Sequence, residues 1–92
     1  MPENLSSSMD DSLKVKKLLE EVEKEINDQR VLEMIAEFSF QIESAMIAEG
    51  YDSLSFCVSL RRNIEDKKLE LSEIHYSYLE QKLEALIEEL NG

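Results

Sequence analysis

Apolar residues recur every three or four positions along most of the chain. Val15, Leu18, Leu19, Val22 and Ile26 form one run, and Leu32, Ile35, Phe38, Ile42 and Met46 form a second. That spacing predicts amphipathic α-helix in both. The runs are out of phase, because the first extrapolates to Gln29 and Glu33, which are polar. The mismatch falls on Asn27-Asp28-Gln29-Arg30. Either the helix turns there, with Asn27 or Asp28 as a cap, or it runs on with a local change of supercoil. Gly50 is the one strong stop inside the chain, in a pattern that suits a left-handed helix cap, and Asp52 or Ser53 is placed to cap the next helix. Beyond it, Cys57, Leu60, Ile64, Leu71, Ile74 and Tyr78 share one stripe, while Tyr76, Leu79, Leu83, Leu86 and Leu90 share a rotated one. A break between Asp66 and Ser72, or a drift in phase, would account for the rotation.

The opening residues, with Pro2, Asn4 and Ser6-Ser7-Ser8, read as a flexible tail over 1–9, followed by a single helical domain over 10–92. Its helical arms are 10–49 and 53–90, and the turn is 49–53. The expected fold is therefore all-α: an antiparallel helical hairpin or an up-down helical bundle of three to four segments, completed by dimerisation or a partner helix. In a hairpin about Gly50, residues face each other when their numbers add to about 102. Ile42 then meets Leu60, Leu19 meets Leu83, and Val22 lies by Leu79. Lys14 and Lys17 fall opposite Glu88 and Glu84, and Glu21 falls opposite Lys82. Arg61 and Arg62 fall opposite Glu43 and Glu37, where they would be neutralised internally.

The second helical run has more apolar surface than one seam needs. At 100° per residue, Val31, Met34, Ile35, Phe38, Ile42 and Met46 fill one sector, and Leu32, Ala36, Phe40 and Ile47 fill a roughly opposite one. With Tyr51, Leu54 and Phe56 nearby, that second sector would leave an apolar patch of the kind that marks an interaction site. The candidate interaction residues are Leu32, Phe40, Ile47, Tyr51, Leu54 and Phe56.

Composition narrows the function. The 92 residues carry a formal charge of −11, and acids outnumber bases in both halves. Such a chain repels phosphate backbones and anionic lipid surfaces, so nucleic acid and membrane are not expected partners. Two glycines and one proline are too few for an all-β domain. One cysteine, Cys57, allows no internal disulfide, and the first residues lack the charged and apolar regions of a signal peptide, so a cytoplasmic setting is expected. His75 is the only histidine, and Ser72 stands where a Glu-x-x-His metal motif needs Glu. Cys57 has no His or Asn partner in sequence reach, and adjacent carboxylates such as Glu20-Glu21 diverge around a helix. No catalytic, metal or cofactor site is expected.

The expected function is a non-enzymatic interaction module, a small acidic helical adaptor or chaperone. It would bury its outer apolar sector against a helical, basic protein or against a second copy in a homodimer. The alternatives are an acidic DNA mimic that inhibits a DNA-binding protein, and a purely structural bundle.

Overall fold

A computed structural model describes the backbone of residues 2–49 and 52–92 and the side chains of residues 11–45 and 52–92. Among the described residues four helices follow one another: α1 (Pro2–Glu25), α2 (Gln29–Glu49), α3 (Ser53–Asp66) and α4 (Glu73–Asn91). A single 3₁₀ turn, Lys68–Glu70, lies between α3 and α4. No strand occurs among the described residues.

The phase mismatches in the sequence are chain reversals. Two unbroken arms of forty residues would run roughly 60 Å. The molecule measures only 44 × 25 × 19 Å, so both arms fold back on themselves. Each reversal is marked by a short polar side chain that binds freed helix N–H groups. The Asp28 carboxylate accepts from the Arg30 N–H at 3.0 Å before α2. Ser72 accepts from the His75 N–H at 3.1 Å at the head of α4. Asp52 does the same for α3, accepting from the Ser55 N–H at 3.0 Å, and these hydrogen bonds hold its carboxyl below the ordinary range. The predicted glycine cap at Gly50 lies outside the described residues.

The helices run up, down, up and down. Ion pairs Lys14–Glu89 (3.2 Å) and Lys82–Glu21 (3.0 Å) set α1 antiparallel to α4, within one residue of the predicted register. Arg61 pairs with Glu84 at 2.7 Å and Glu80 at 3.5 Å, which ties α4 to α3 after the short reversal between them. The core draws on all four segments: Leu18, Val22 and Ile26; Val31, Ile35 and Ile42; Phe56, Cys57, Leu60 and Ile64; Leu79, Leu83 and Leu86. Burying each such aliphatic or aromatic side chain stabilises by about 1.5–3 kcal/mol. α3 is the hub, packed against α4, α2 and α1.

The structure departs from the sequence pattern in several places. The first helix begins at Pro2, so residues 2–9, read from composition as a tail, have helical backbone. Proline suits a first turn, where its missing N–H has no helical partner in any case. Arg61 does not face Glu43 or Glu37. The return of α4 along α3 presents Glu80 and Glu84 instead, with Glu65 one turn away on α3 itself. Lys17 likewise does not pair with Glu84, whose carboxylate is taken by Arg61. Ile74, assigned to the stripe of Cys57 and Leu60, is 80% exposed, because that stripe spans the reversal and α4 restarts at a new rotation.

Candidate interaction surface

Each amphipathic helix can turn its apolar stripe toward one neighbour, and the width of the stripe decides whether anything is left over. In α2, Val31, Ile35 and Ile42 are buried in the core. Leu32, Ala36 and Phe40, spaced four apart, lie in a row on the neighbouring flank. In α1, Leu18 and Val22 are buried, while the adjacent Leu19 is only half-buried. The backbones of α1 and α2 approach each other at isolated points at most, unlike those of α3 and α4.

The result is a groove of about 390 Å³ between α1 and α2. Leu19, Leu32, Ala36 and Phe40 line it, with Val22 and Ile35 at its base and Lys16, Glu20, Glu23 and Glu43 on its rims. Phe40 is 70% exposed there. The Ser39 hydroxyl, buried beside the groove, has no hydrogen-bond partner among the described residues. Toward the start of α3 the groove continues into a recess of about 350 Å³ lined by Val15, Leu19 and Phe56, with Ser12, Lys16, Glu43 and Ser53 around them.

The predicted interaction residues do not all gather here. Leu32 and Phe40 share the groove. Leu54 is half-buried on α3 and lines neither the groove nor the recess. Phe56, expected on the outer patch, is a core residue at 3% exposure, because the first turn of α3 points it inward beside Cys57. The Ile47 side chain and Tyr51 lie outside the described residues. Leu19, which the hairpin register assigned to the seam with Leu83, is the wall that sequence reasoning missed. The signal was the Leu18-Leu19 pair: neighbours sit 100° apart on a helix, so one seam cannot take both fully.

Two other surface features stand apart. Leu69, on the 3₁₀ turn, is 99% exposed, and Ile74 lies five residues on. A recess of about 510 Å³ at the same end of the bundle lies between α2 and the α3–α4 connection. Its lining mixes Met34, Phe38 and Leu71 with both signs of charge, from Asp28, Arg30, Glu33, Glu37, Lys67 and Glu70.

Three groups with intrinsic chemistry are shifted by their surroundings. Cys57 is 1% exposed, and burial pushes its thiol up to about 11, so it stays protonated at neutral pH. Tyr76 is pushed up to about 12, chiefly by the neighbouring Glu80 carboxylate, and the Lys68 ammonium sits 5.2 Å from its ring centre. Lys82 is held above its ordinary value, chiefly by its hydrogen bond to Glu21. Among the described residues, no group of three or more His, Cys, Asp or Glu side chains is arranged to hold a metal ion. Among the same residues, no helix is long and apolar enough to cross a membrane. No known protein family, curated protein or solved structure matches the chain.

Proposed function

We propose that the chain is a non-enzymatic protein–protein interaction module, an acidic helical adaptor or chaperone, that works by burying the α1/α2 groove against a helix of a partner or of a second copy. One observation carries this reading: Phe40 stands 70% exposed in a groove whose other walls are also apolar. A large aromatic in water beside Leu19, Leu32 and Ala36 is an unused source of binding free energy. Burying it would contribute about 1.5–3 kcal/mol. A cytoplasmic setting accords with the single, unpaired cysteine.

The acidic-decoy alternative has less support. A decoy needs an unbroken array of carboxylates, whereas Glu20, Glu21, Glu23 and Glu25 of α1 share that helix with Lys14, Lys16, Lys17 and Lys24, and Glu21 is held by Lys82. The test is site-specific photocrosslinking in the native host. A benzophenone amino acid at Phe40 is expected to give a discrete adduct, and the same group at Glu73 on α4 none. If neither position crosslinks and the protein sediments as a monomer, the chain is a self-contained structural bundle and the interaction reading fails.

A further inference from the structure

We infer that the occupant of the α1/α2 groove is a basic amphipathic helix, with about three turns of apolar stripe flanked by Lys or Arg. The inference rests on the interaction reading above and specifies its partner.

Shape comes first. Both walls of the groove are helices, whose mid-helix N–H and C=O groups are already paired along their own axes. An extended segment laid between them would find no backbone partners and would bury unpaired amides. A helix brings its own hydrogen bonds and offers only side chains, as helix-in-groove recognition requires. The α1 wall, from Ser12 in the recess to Glu23, spans about 17 Å at 1.5 Å per residue, close to three helical turns. Leu32, Ala36 and Phe40 repeat at the four-residue spacing that an opposing ridge of side chains fits.

Charge decides between partner classes. The rims carry Glu20, Glu23 and Glu43 against the single base Lys16. None of these three carboxylates has an ion-pair partner among the described residues. Contrast Glu21 on the other side of α1, which is held by Lys82. The groove's acids are thus unspent, and they flank an apolar strip. A second copy would bring the same three carboxylates to the same rims, with only its own Lys16 to offset them, and each chain carries −11 overall. Like charges at a closing interface oppose association, while a Lys- or Arg-flanked stripe meets complementary potential on both rims.

The test uses a fluorescein-labelled synthetic peptide of about 14 residues, Leu at helical a/d spacing and Lys elsewhere, titrated with the full chain and read by anisotropy. A second peptide replaces every Lys with Glu. The Lys peptide is expected to bind, and the Glu peptide to bind at least about tenfold more weakly. Phe40→Asp should weaken the Lys peptide at least tenfold with helix content unchanged by circular dichroism. Should that variant unfold, Ala36→Lys, at an exposed position on the groove wall, serves in its place. Glu23→Gln with Glu43→Gln should weaken binding several-fold at low salt, with the difference shrinking at high salt. Glu73→Gln with Asp66→Asn, the same charge change away from the groove, should leave binding unaltered. Equal losses from both charge pairs, or equal binding to wild type and groove variant, would mean diffuse attraction to an acidic surface and overturn the inference. If the Lys peptide fails to bind but the protein self-associates and Phe40→Asp abolishes that, the groove is an interface between copies: the interaction reading survives and the basic helix does not. If there is neither peptide binding nor self-association, and Phe40 yields no crosslink in the host, both fall.

Discussion

Between α3 and α4, Leu60, Ile64, Leu79 and Leu83 are all 2% exposed or less, and Arg61 bridges the two helices to Glu80 and Glu84. Between α1 and α2, Leu19 and Leu32 are half-buried, Phe40 is in water, and no ion pair crosses the gap among the described residues. Both pairs are antiparallel and joined by short reversals. The difference lies in stripe width. In α3 the bundle interior takes Phe56, Cys57, Leu60 and Ile64, and Val58 is left at 42% exposure. α2 has two rows, and among its described side chains the interior fully buries only Val31, Ile35 and Ile42. A helix that is apolar around most of its circumference, placed at the edge of a bundle, must leave part of that surface for something else.

The largest effect that would expose this contrast is thiol reactivity. Native Cys57 in the closed half should react with an aromatic disulfide reagent only through unfolding. A cysteine introduced by Phe40→Cys, in a Cys57→Ala background, should react at least about a thousandfold faster, since unfolded molecules are that rare in a stable domain. Comparable rates in stopped-flow labelling would mean that the two halves are equally open. Next is truncation of apolar side chains. Leu60→Ala should destabilise by about 2–5 kcal/mol in urea unfolding, and Phe40→Ala by no more than about 0.5 kcal/mol. A cost for Phe40→Ala as large as that for Leu60→Ala would close the groove and end the comparison.

The smallest effect concerns Asp52 at the head of α3. Asp52→Ala should cost about 1 kcal/mol at neutral pH. Its carboxyl titrates lower in the folded chain than its ordinary 3.8, so the folded state favours the ionised form. That contribution is present above the unfolded value and is lost as pH falls through the folded one. The stability gap between wild type and Asp52→Ala should therefore narrow below about pH 4, as followed by thermal melts. A gap independent of pH would show that the cap does not act through the ionised carboxylate.

Much of this architecture was legible along the chain. The shift of phase at Asn27–Arg30 and the rotation between Asp66 and Ser72 are written in the residues, but periodicity leaves a break and a continuous helix of drifting phase equally open, and the structure has reversals at both, with Asp28, Asp52 and Ser72 as the short polar side chains that begin the helices. The double sector of α2 was legible too, and with it Leu32 and Phe40. Leu19 was not, because adjacent leucines on one helix leave open which of them faces the seam. Phe56 was misplaced because an aromatic one turn into a helix fits a patch or a core equally well by spacing alone. Arg61 was assigned to the wrong carboxylates because the hairpin register gave α3 only α2 as a neighbour.

Periodicity is a property of each helix about its own axis, and it is written in the residues themselves: which flank is apolar, how wide it is, and where the phase slips. Which helix covers which flank depends on the angles at three reversals and on α3 sitting in contact with all three others. Those relations are set by packing summed over the whole chain, so no single segment encodes them. That is why the surplus apolar surface of α2 could be counted from the residues, while its place beside α1, rimmed by Glu20, Glu23 and Glu43, emerged only once the four helices were assembled.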